Sequence, residues 1–191
     1  MAILTHFNQN AETAATLREV SAIHDFLATR GIFFEQWEAS YPFAPDASPE
    51  EVLAAYAPGL EPYMAQHGYQ TADVIVIHPE TPHLEALRAK FLREHTHTED
   101  EVRFFVEGYG DFWFHLTDDD VFCVRCERGD LLAVPAGFKH WFDMGERPQV
   151  KAIRIFTDAS GWTPQYTDSG VDARYQLPVA FILAGEGGKK A

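Results

Sequence analysis

Three histidines and one carboxylate stand at spacings that could bind a divalent metal ion. His95 and His97 are two residues apart, Glu101 follows four residues later, and His140 lies further along the chain. Imidazole binds iron, nickel, copper and zinc, and one hard carboxylate beside it favours a metal that takes six ligands. With their accompanying turn residues, both patterns are expected by chance about once in 100,000 such sequences. The accompanying turn residues are Gly108, Gly129, Pro135 and Gly137.

The elements that carry these residues must bring them to one point. Residues two apart on a strand project from the same face, so His95 and His97 share one side and Glu101 opens the next strand. A Pro-Gly turn precedes His140 and could deliver it from another hairpin. Four ligands from two hairpins would then meet in the mouth of a small barrel. A structural zinc site is the alternative, although such sites are typically rich in cysteine.

Hydrophobic periodicity and turn signals predict an antiparallel β fold with helices in the N-terminal half. Asn10 is a plausible N-cap for the first helix, and Ser48 begins a capping box for the second. Helices are predicted over residues 10–29, 48–56, 61–67 and 84–92. Strands are predicted over residues 32–37, 73–78, 101–107, 111–116, 121–126, 131–134 and 150–156.

The length and composition favour one folded domain. A chain of 191 residues with 46% hydrophobic residues is long enough to bury a sizeable core, and no linker divides it. We therefore expect a single domain over residues 1–191. Within it, residues 1–93 form an N-terminal decoration, residues 94–160 form the metal-binding barrel core, and residues 185–191 form a flexible tail.

The net charge and the two cysteines limit which classes of partner and which cellular compartment are expected. A formal charge of −14 argues against nucleic acid and against an anionic membrane surface, since both need a cationic face. Cys123 and Cys126 are three apart on a predicted strand and point to opposite faces, so they should neither pair nor share a metal. No apolar run reaches the length of a membrane span. The chain is therefore predicted to be a cytoplasmic protein.

Two longer strings carry a family resemblance. EHTHTEDEVRFFVEG, from Glu94 to Gly108, and HWFDMG, from His140 to Gly145, match both cupin motifs and closely resemble acireductone dioxygenases. The resemblance extends from Val74 through Trp162. The general cupin pattern has Asn where this chain has Met144, and the acireductone dioxygenase subfamily is similar to this chain there.

The resemblance implies a cupin or jelly-roll β-barrel and an enzyme of methionine salvage. Its substrates would be O2 and 1,2-dihydroxy-5-(methylthio)pent-1-en-3-one. With Fe(II) the family forms formate and 4-methylthio-2-oxobutanoate, and with Ni(II) it forms formate, carbon monoxide and 3-methylthiopropanoate. Each chain would hold one metal ion through His95, His97, Glu101 and His140. The resemblance to small cupins of this subfamily also implies a monomer.

Three charged residues near the motifs are candidates for handling substrate or protons. Arg103 has the parity of Glu101, so it should point into the pocket, although an arginine on a strand is more often solvated. Arg154 has apolar neighbours that suggest burial, and it could bind substrate or pair with Glu94, Asp143 or another carboxylate. Glu94 points away from the ligand face, where it could support a ligand or handle protons.

Aromatic residues could wall the apolar methylthio end of the substrate, although aromatic residues at such positions are more often part of the core. The candidates are Phe105, Phe142 and Trp162. His115 lies outside both motifs and is expected to be a core or surface histidine.

Two rival functions stay open at this stage. One is a non-catalytic cupin that binds a metal and a small ligand, and the other is a different cupin isomerase or dioxygenase. The residues from Glu101 to Gly108 and the HWFD sequence at His140 are what favour the acireductone dioxygenase.

Overall fold

The predicted antiparallel β architecture is confirmed by a computed structural model, which describes residues 1–40, 43–44, 47–118, 120–158 and 163–175. Three helices lie in the N-terminal half: α1 (Val20–Ala28), α2 (Pro49–His67) and α3 (Leu84–Leu92). The first strands are β1 (Ile3–Phe7), β2 (Thr13–Leu17), β3 (Phe33–Gln36), β4 (Thr71–Ile77) and β5 (His95–Thr96). The remaining strands are β6 (Glu101–Thr117), β7 (Asp120–Glu127), β8 (Asp130–Val134), β9 (His140–Asp143), β10 (Val150–Phe156) and β11 (Gln165–Tyr166).

The long strand β6 belongs to two antiparallel groups of strands. Its first half pairs with β8 and β10, and β3 and β4 extend that group on either side. Its second half pairs with β7 and β9, and the order there is β11-β5-β9-β6-β7-β1-β2. Strands from the N-terminal half therefore extend both groups.

Glycine permits the bend in β6 where one group of strands gives way to the other. Gly108 has a positive φ of 75°, and a Cβ there would lie 1.5 Å from the carbonyl oxygen of Gln149. Two predicted strands thus join into one, because Gly108 to Gly110 bends the strand and does not end it.

Three clusters of buried side chains hold the architecture together. The main cluster packs Phe105, Phe112 and Phe142 with aliphatic residues of the strands and of α1. A second cluster joins α2 to the first half of β6 through Tyr56 and Phe104. The third is aromatic and includes Trp113 and Trp141, whose rings stack 5.4 Å apart.

The helix predictions were partly wrong. The segment predicted as one helix over residues 10–29 contains β2 and then the short α1, because Leu4 to Phe7 of β1 pair with residues 13–17. The helices predicted over 48–56 and 61–67 are one helix, α2, which continues through Pro58 and Pro62. Its predicted capping box at Ser48 and Glu51 is confirmed, and α3 has the predicted bounds.

Within the described residues, no helix is long and apolar enough to cross a membrane. Cys123 and Cys126 are both buried and free, as their strand parity predicted.

Candidate metal centre

Short strands bring the four predicted ligands together. His95 begins β5, Glu101 begins β6 and His140 begins β9, and His95 pairs directly with His140 across the sheet. His97 follows β5, and its carbonyl oxygen accepts a hydrogen bond of 2.8 Å from the backbone N–H of Gly137. That bond ties the turn after β5 to the turn before β9. The predicted convergence of the four ligands is confirmed. Their delivery by two hairpins is wrong, because β5 pairs with β9 and β11 and not with the next strand, β6.

The ligand atoms form a compact, buried cluster. One donor atom from each of the four side chains lies within 4.8 Å of all the others. The Nε2 atoms of His97 and His140 lie 3.0 Å and 3.1 Å from the same oxygen, Oε2 of Glu101. Each of the four residues is no more than 4% exposed. Three nitrogens and one oxygen therefore surround a small volume that is shielded from water.

Backbone carbonyls orient two of the imidazole rings. Nδ1 of His95 lies 2.6 Å from the carbonyl oxygen of Arg93, and Nδ1 of His140 lies 2.9 Å from that of Phe138. A carbonyl oxygen can only accept, so each Nδ1 carries a proton and Nε2 of each ring is directed towards the cluster. Nε2 is therefore the atom with which each of these rings would bind a metal ion.

The environment keeps the cluster ready for a metal. Burial, with a contribution from neighbouring His140, lowers the pKa of His95 to about 4, so that ring is neutral near pH 7. Burial by itself raises the pKa of Glu101, but Arg103 and the imidazoles outweigh it and hold the pKa well below its usual range. A neutral imidazole and an ionised carboxylate are the forms that bind a metal. The residues present thus fit a divalent transition metal of the iron and nickel type.

Arg103 lies against the ligand cluster, as its strand parity predicted. Its Nη2 is 2.8 Å from Oε1 of Glu101, and the residue is 3% exposed. Its guanidinium lies 4.5 Å from the ring centroid of Phe142 and 5.4 Å from that of Phe112. The interpretation as a solvated surface arginine is wrong, because a buried ion pair and aromatic faces surround this side chain.

Phe142 contacts Arg103 because a glycine leaves room for its ring. A Cβ on Gly110 would lie 2.3 Å from two ring atoms of Phe142. Phe105 is fully buried in the main core cluster, with its ring 6.3 Å from that of Phe112. Trp162, the third aromatic candidate, lies outside the described residues.

Glu94 faces away from the cluster, as predicted, and is bonded on both oxygens. Oε2 lies 2.6 Å from Nδ1 of His115, and Oε1 accepts hydrogen bonds from the hydroxyls of Thr167 and Ser169. Burial raises the pKa of Glu94, but these bonds outweigh it and leave the pKa below its usual value. His115 is 4% exposed, so it is a core histidine with a partner. The carboxylate anchors the segment after β10 to the strand that carries His95.

Arg154 pairs with an N-terminal carboxylate that sequence reasoning did not select. Its Nε lies 2.8 Å from Oδ1 of Asp73, across the β4 and β10 pair. The side chain is 27% exposed, so the burial suggested by its neighbours is only partial. Glu94 and Asp143, the carboxylates named in advance, bond instead to His115 and Arg88.

Two further residues at the site were missed. The ring of Phe91 on α3 lies 6.5 Å from that of His95 and 6.0 Å from the guanidinium of Arg103. Asp100 accepts hydrogen bonds from the N–H of Ala136 and the hydroxyl of Tyr69. The helical spacing of Leu84, Leu87 and Phe91 signals an inward face of α3, but no local pattern reveals the role of Asp100.

Comparison with known proteins matches the whole region that contains the site. The model of the "ARD/ARD' family" matches residues 4–164. An acireductone dioxygenase of Picosynechococcus sp. is 55% identical over 165 residues, which cover 86% of this chain and 94% of that protein. An acireductone dioxygenase of Methylococcus capsulatus is 47% identical over 176 residues, covering 92% and 94%.

A solved structure shares the fold. The acireductone dioxygenase of Bacillus anthracis, with a cadmium ion in its active center, superposes with a TM-score of 0.78 at 34% identity. The match covers 87% of this chain and 98% of the other. The predicted cupin fold is thereby confirmed.

Proposed function

The chain belongs to the ARD/ARD' family of acireductone dioxygenases, and from that premise we propose that it holds one Fe(II) or Ni(II) ion whose identity decides the products. The chain is a metal-dependent acireductone dioxygenase of methionine salvage, and its substrates are acireductone and O2. With Fe(II) we expect formate and 4-methylthio-2-oxobutanoate. With Ni(II) we expect formate, carbon monoxide and 3-methylthiopropanoate.

The observation that carries this proposal is the cluster of His95, His97, Glu101 and His140 with Arg103 beside it. Four ligands on a six-coordinate metal leave two positions, so the bound ion would supply a Lewis-acidic site for two substrate oxygens and favour reaction with O2. The cluster has no cysteine ligand, unlike a typical structural zinc site.

Arg103 is proposed to stabilise the negative charge of the substrate enediolate. It is the cation nearest to the cluster among the contacts of Glu101, and its guanidinium is already desolvated between aromatic rings. A fixed positive charge in a site without water is worth more than one in solvent, since little reorganisation accompanies the reaction. The same charge keeps Glu101 ionised.

Aromatic side chains are proposed to wall the methylthio end of the substrate. Phe142 is the best supported, because its ring contacts Arg103. Phe105 lies deeper in the core, and Trp162 is retained from the family resemblance alone. These rings would exclude water from the reacting atoms.

Glu94 and Arg154 are proposed to position other residues. The bonds of Glu94 to Thr167, Ser169 and His115 support a role in holding the strand of His95. Arg154 lies opposite Arg103 in the β6 and β10 register and pairs with Asp73, which supports a role in fixing that strand pair.

We also propose that the chain is one domain, works as a monomer and resides in the cytoplasm. The pairing of β4 with β10 and of β1 with β7 supports a single domain, since both halves contribute to the same sheets. Two buried, unpaired cysteines suit a reducing compartment.

The experiment loads metal-free protein separately with Fe(II) and Ni(II), supplies acireductone and O2, and identifies the products. One equivalent of either metal should bind and should set the product mixture. His97→Ala, which removes a ligand, is the control and should lose most of the metal and all of the activity. If neither metal accelerates substrate loss over the uncatalysed oxidation, the enzymatic assignment fails. One product mixture from both metals would refute control by the metal.

A further inference from the structure

We propose that a cavity between β3 and α2, separate from the metal centre, binds a small alkylammonium cation. The cavity has a volume of about 370 Å³ and is lined by Glu35, Trp37 and Glu38 on one side. The other side is lined by residues of α2, namely Tyr56, Gly59, Pro62, Tyr63 and Gln66. None of the metal-site side chains lines it. The volume is at the lower end of the range for small-molecule sites.

Aromatic rings form two walls of the cavity. The rings of Trp37 and Tyr63 lie 5.1 Å apart at an angle of 78°, so they make a corner. Trp37 and Tyr56 both pack on Phe104 of β6, at 5.4 Å and 5.2 Å between ring centroids. These fixed rings line the cavity, and the faces of Trp and Tyr rings attract cations, including alkylated ammonium groups.

The charges around the cavity favour a cation. Among the residues that the structure describes, its lining includes two carboxylates, of Glu35 and Glu38, and no lysine, arginine or histidine. The carboxylate of Glu35 is oriented by a 3.0 Å hydrogen bond from the indole Nε1 of Trp37. Burial, and to a smaller extent the charge of Glu35, raise the pKa of Tyr63 to about 12. An anion would meet repulsion from these two carboxylates.

Where α2 lines the cavity it contains glycine and proline, which destabilise a helix. No close neighbour of Gly59 requires a glycine there. Gly59 lines the cavity, and a Cβ there would meet nothing within 4 Å, so alanine would fit and would favour the helix. The glycine keeps space open on the cavity side. Pro62 has no N–H, so the carbonyl oxygen of Pro58 lacks its usual helical donor.

The first test uses choline and its neutral isostere 3,3-dimethylbutan-1-ol as probes. Both are titrated calorimetrically into the metal-loaded protein. Choline should bind saturably and at least 10-fold more tightly than the alcohol, since only choline gains the cation–π and carboxylate terms. Equal affinities would overturn the proposal and leave a merely apolar groove. The absence of saturable choline binding would also overturn it.

Variants locate the binding and separate it from folding. Glu35→Gln and Glu38→Gln should each weaken choline binding several-fold, while Glu61→Gln, which lies on α2 outside the cavity lining, should leave it unchanged. Gly59→Ala should raise the melting temperature by about 2–4 °C yet weaken choline binding, because the added methyl group occupies the cavity. Choline affinity that is unchanged in all three cavity variants would refute this location.

Turnover of acireductone is the independent reference for these variants. Since none of the changed side chains lines the metal centre, all four variants should keep parental activity. A cation site that fails would leave the dioxygenase assignment untouched, and a dioxygenase assignment that fails would leave the choline titrations interpretable.

Discussion

The metal centre depends on two charges that burial alone would oppose and on one neutral imidazole that burial favours. Burial disfavours an ionised Glu101 and a charged Arg103, and their 2.8 Å contact lets each stabilise the other. His95 responds to burial differently and stays neutral. The ion pair and the neutral imidazole together give a site that attracts a dication and still presents one positive charge to an anionic substrate.

Replacing Arg103 by alanine should slow catalysis without removing the metal. The four ligands remain, but the substrate loses the one cation that contacts Glu101, and comparable losses of fixed charge reduce the rate by about 100-fold or more. The measurement is kcat and KM with Fe(II), alongside metal content at pH 7.5. Arg103→Lys is the matched control and should recover part of kcat, since it keeps the charge and loses the planar geometry. Parental kinetics in Arg103→Ala would remove this residue from the reaction.

At the scale of elements, the site is set by pairings between short strands. β5 has only two residues and lies between β9 and β11. Its position is reinforced by Glu94, whose buried carboxylate bonds to the segment that follows β11. The strand that carries His95 is therefore held by contacts with residues more than 40 positions away in sequence.

The long range of these pairings explains which elements could be predicted. The helix over residues 84–92 and the ligand spacing of His95 and His97 are local patterns, and both were predicted correctly. The N-terminal strands were missed because Leu17, Val20 and Ile23 mimic helical spacing, while the pairing of β2 with β1 outweighs it. Asp100 and the partners of Glu94 were not recoverable, since their hydrogen bonds join residues that are distant in sequence.

Thr167→Val should weaken the anchoring of β5 through Glu94, and valine has nearly the same shape as threonine. The substitution removes one of the two hydroxyls that donate to Oε1 of the buried carboxylate of Glu94, and a hydrogen bond to a charged group contributes about 1.5–3 kcal/mol. The free energy of unfolding of the metal-loaded protein, measured in urea, should fall by that amount. Thr29→Val, at an exposed helix end, is the control and should change it by less than about 0.5 kcal/mol. An equal loss in both variants would mean that the bond to Glu94 has no special weight.

At the scale of the whole molecule, acidification changes the stability of the folded chain in two opposite ways. The net charge of −14 creates self-repulsion near pH 7, which acidification relieves. At the metal centre, acidification instead favours the unfolded chain. His95 has a pKa of about 4 in the folded chain and about 6.5 in the unfolded chain, so between these values the unfolded chain binds the additional proton.

The metal-free protein should consequently lose stability between pH 7.5 and pH 5. Because the unfolded state takes up the proton in this window, linkage predicts a loss of about 2 kcal/mol from His95. Glu101, whose pKa is lowered, contributes in the same direction only below its unfolded value of about 4.5, so this pH range reports the histidine. Urea unfolding at the two pH values measures the loss. Metal-free His95→Gln should show a smaller loss, whereas His24→Gln, on the exposed face of α1, should match the parent. If His95→Gln keeps the full loss, the acid sensitivity arises elsewhere in the protein.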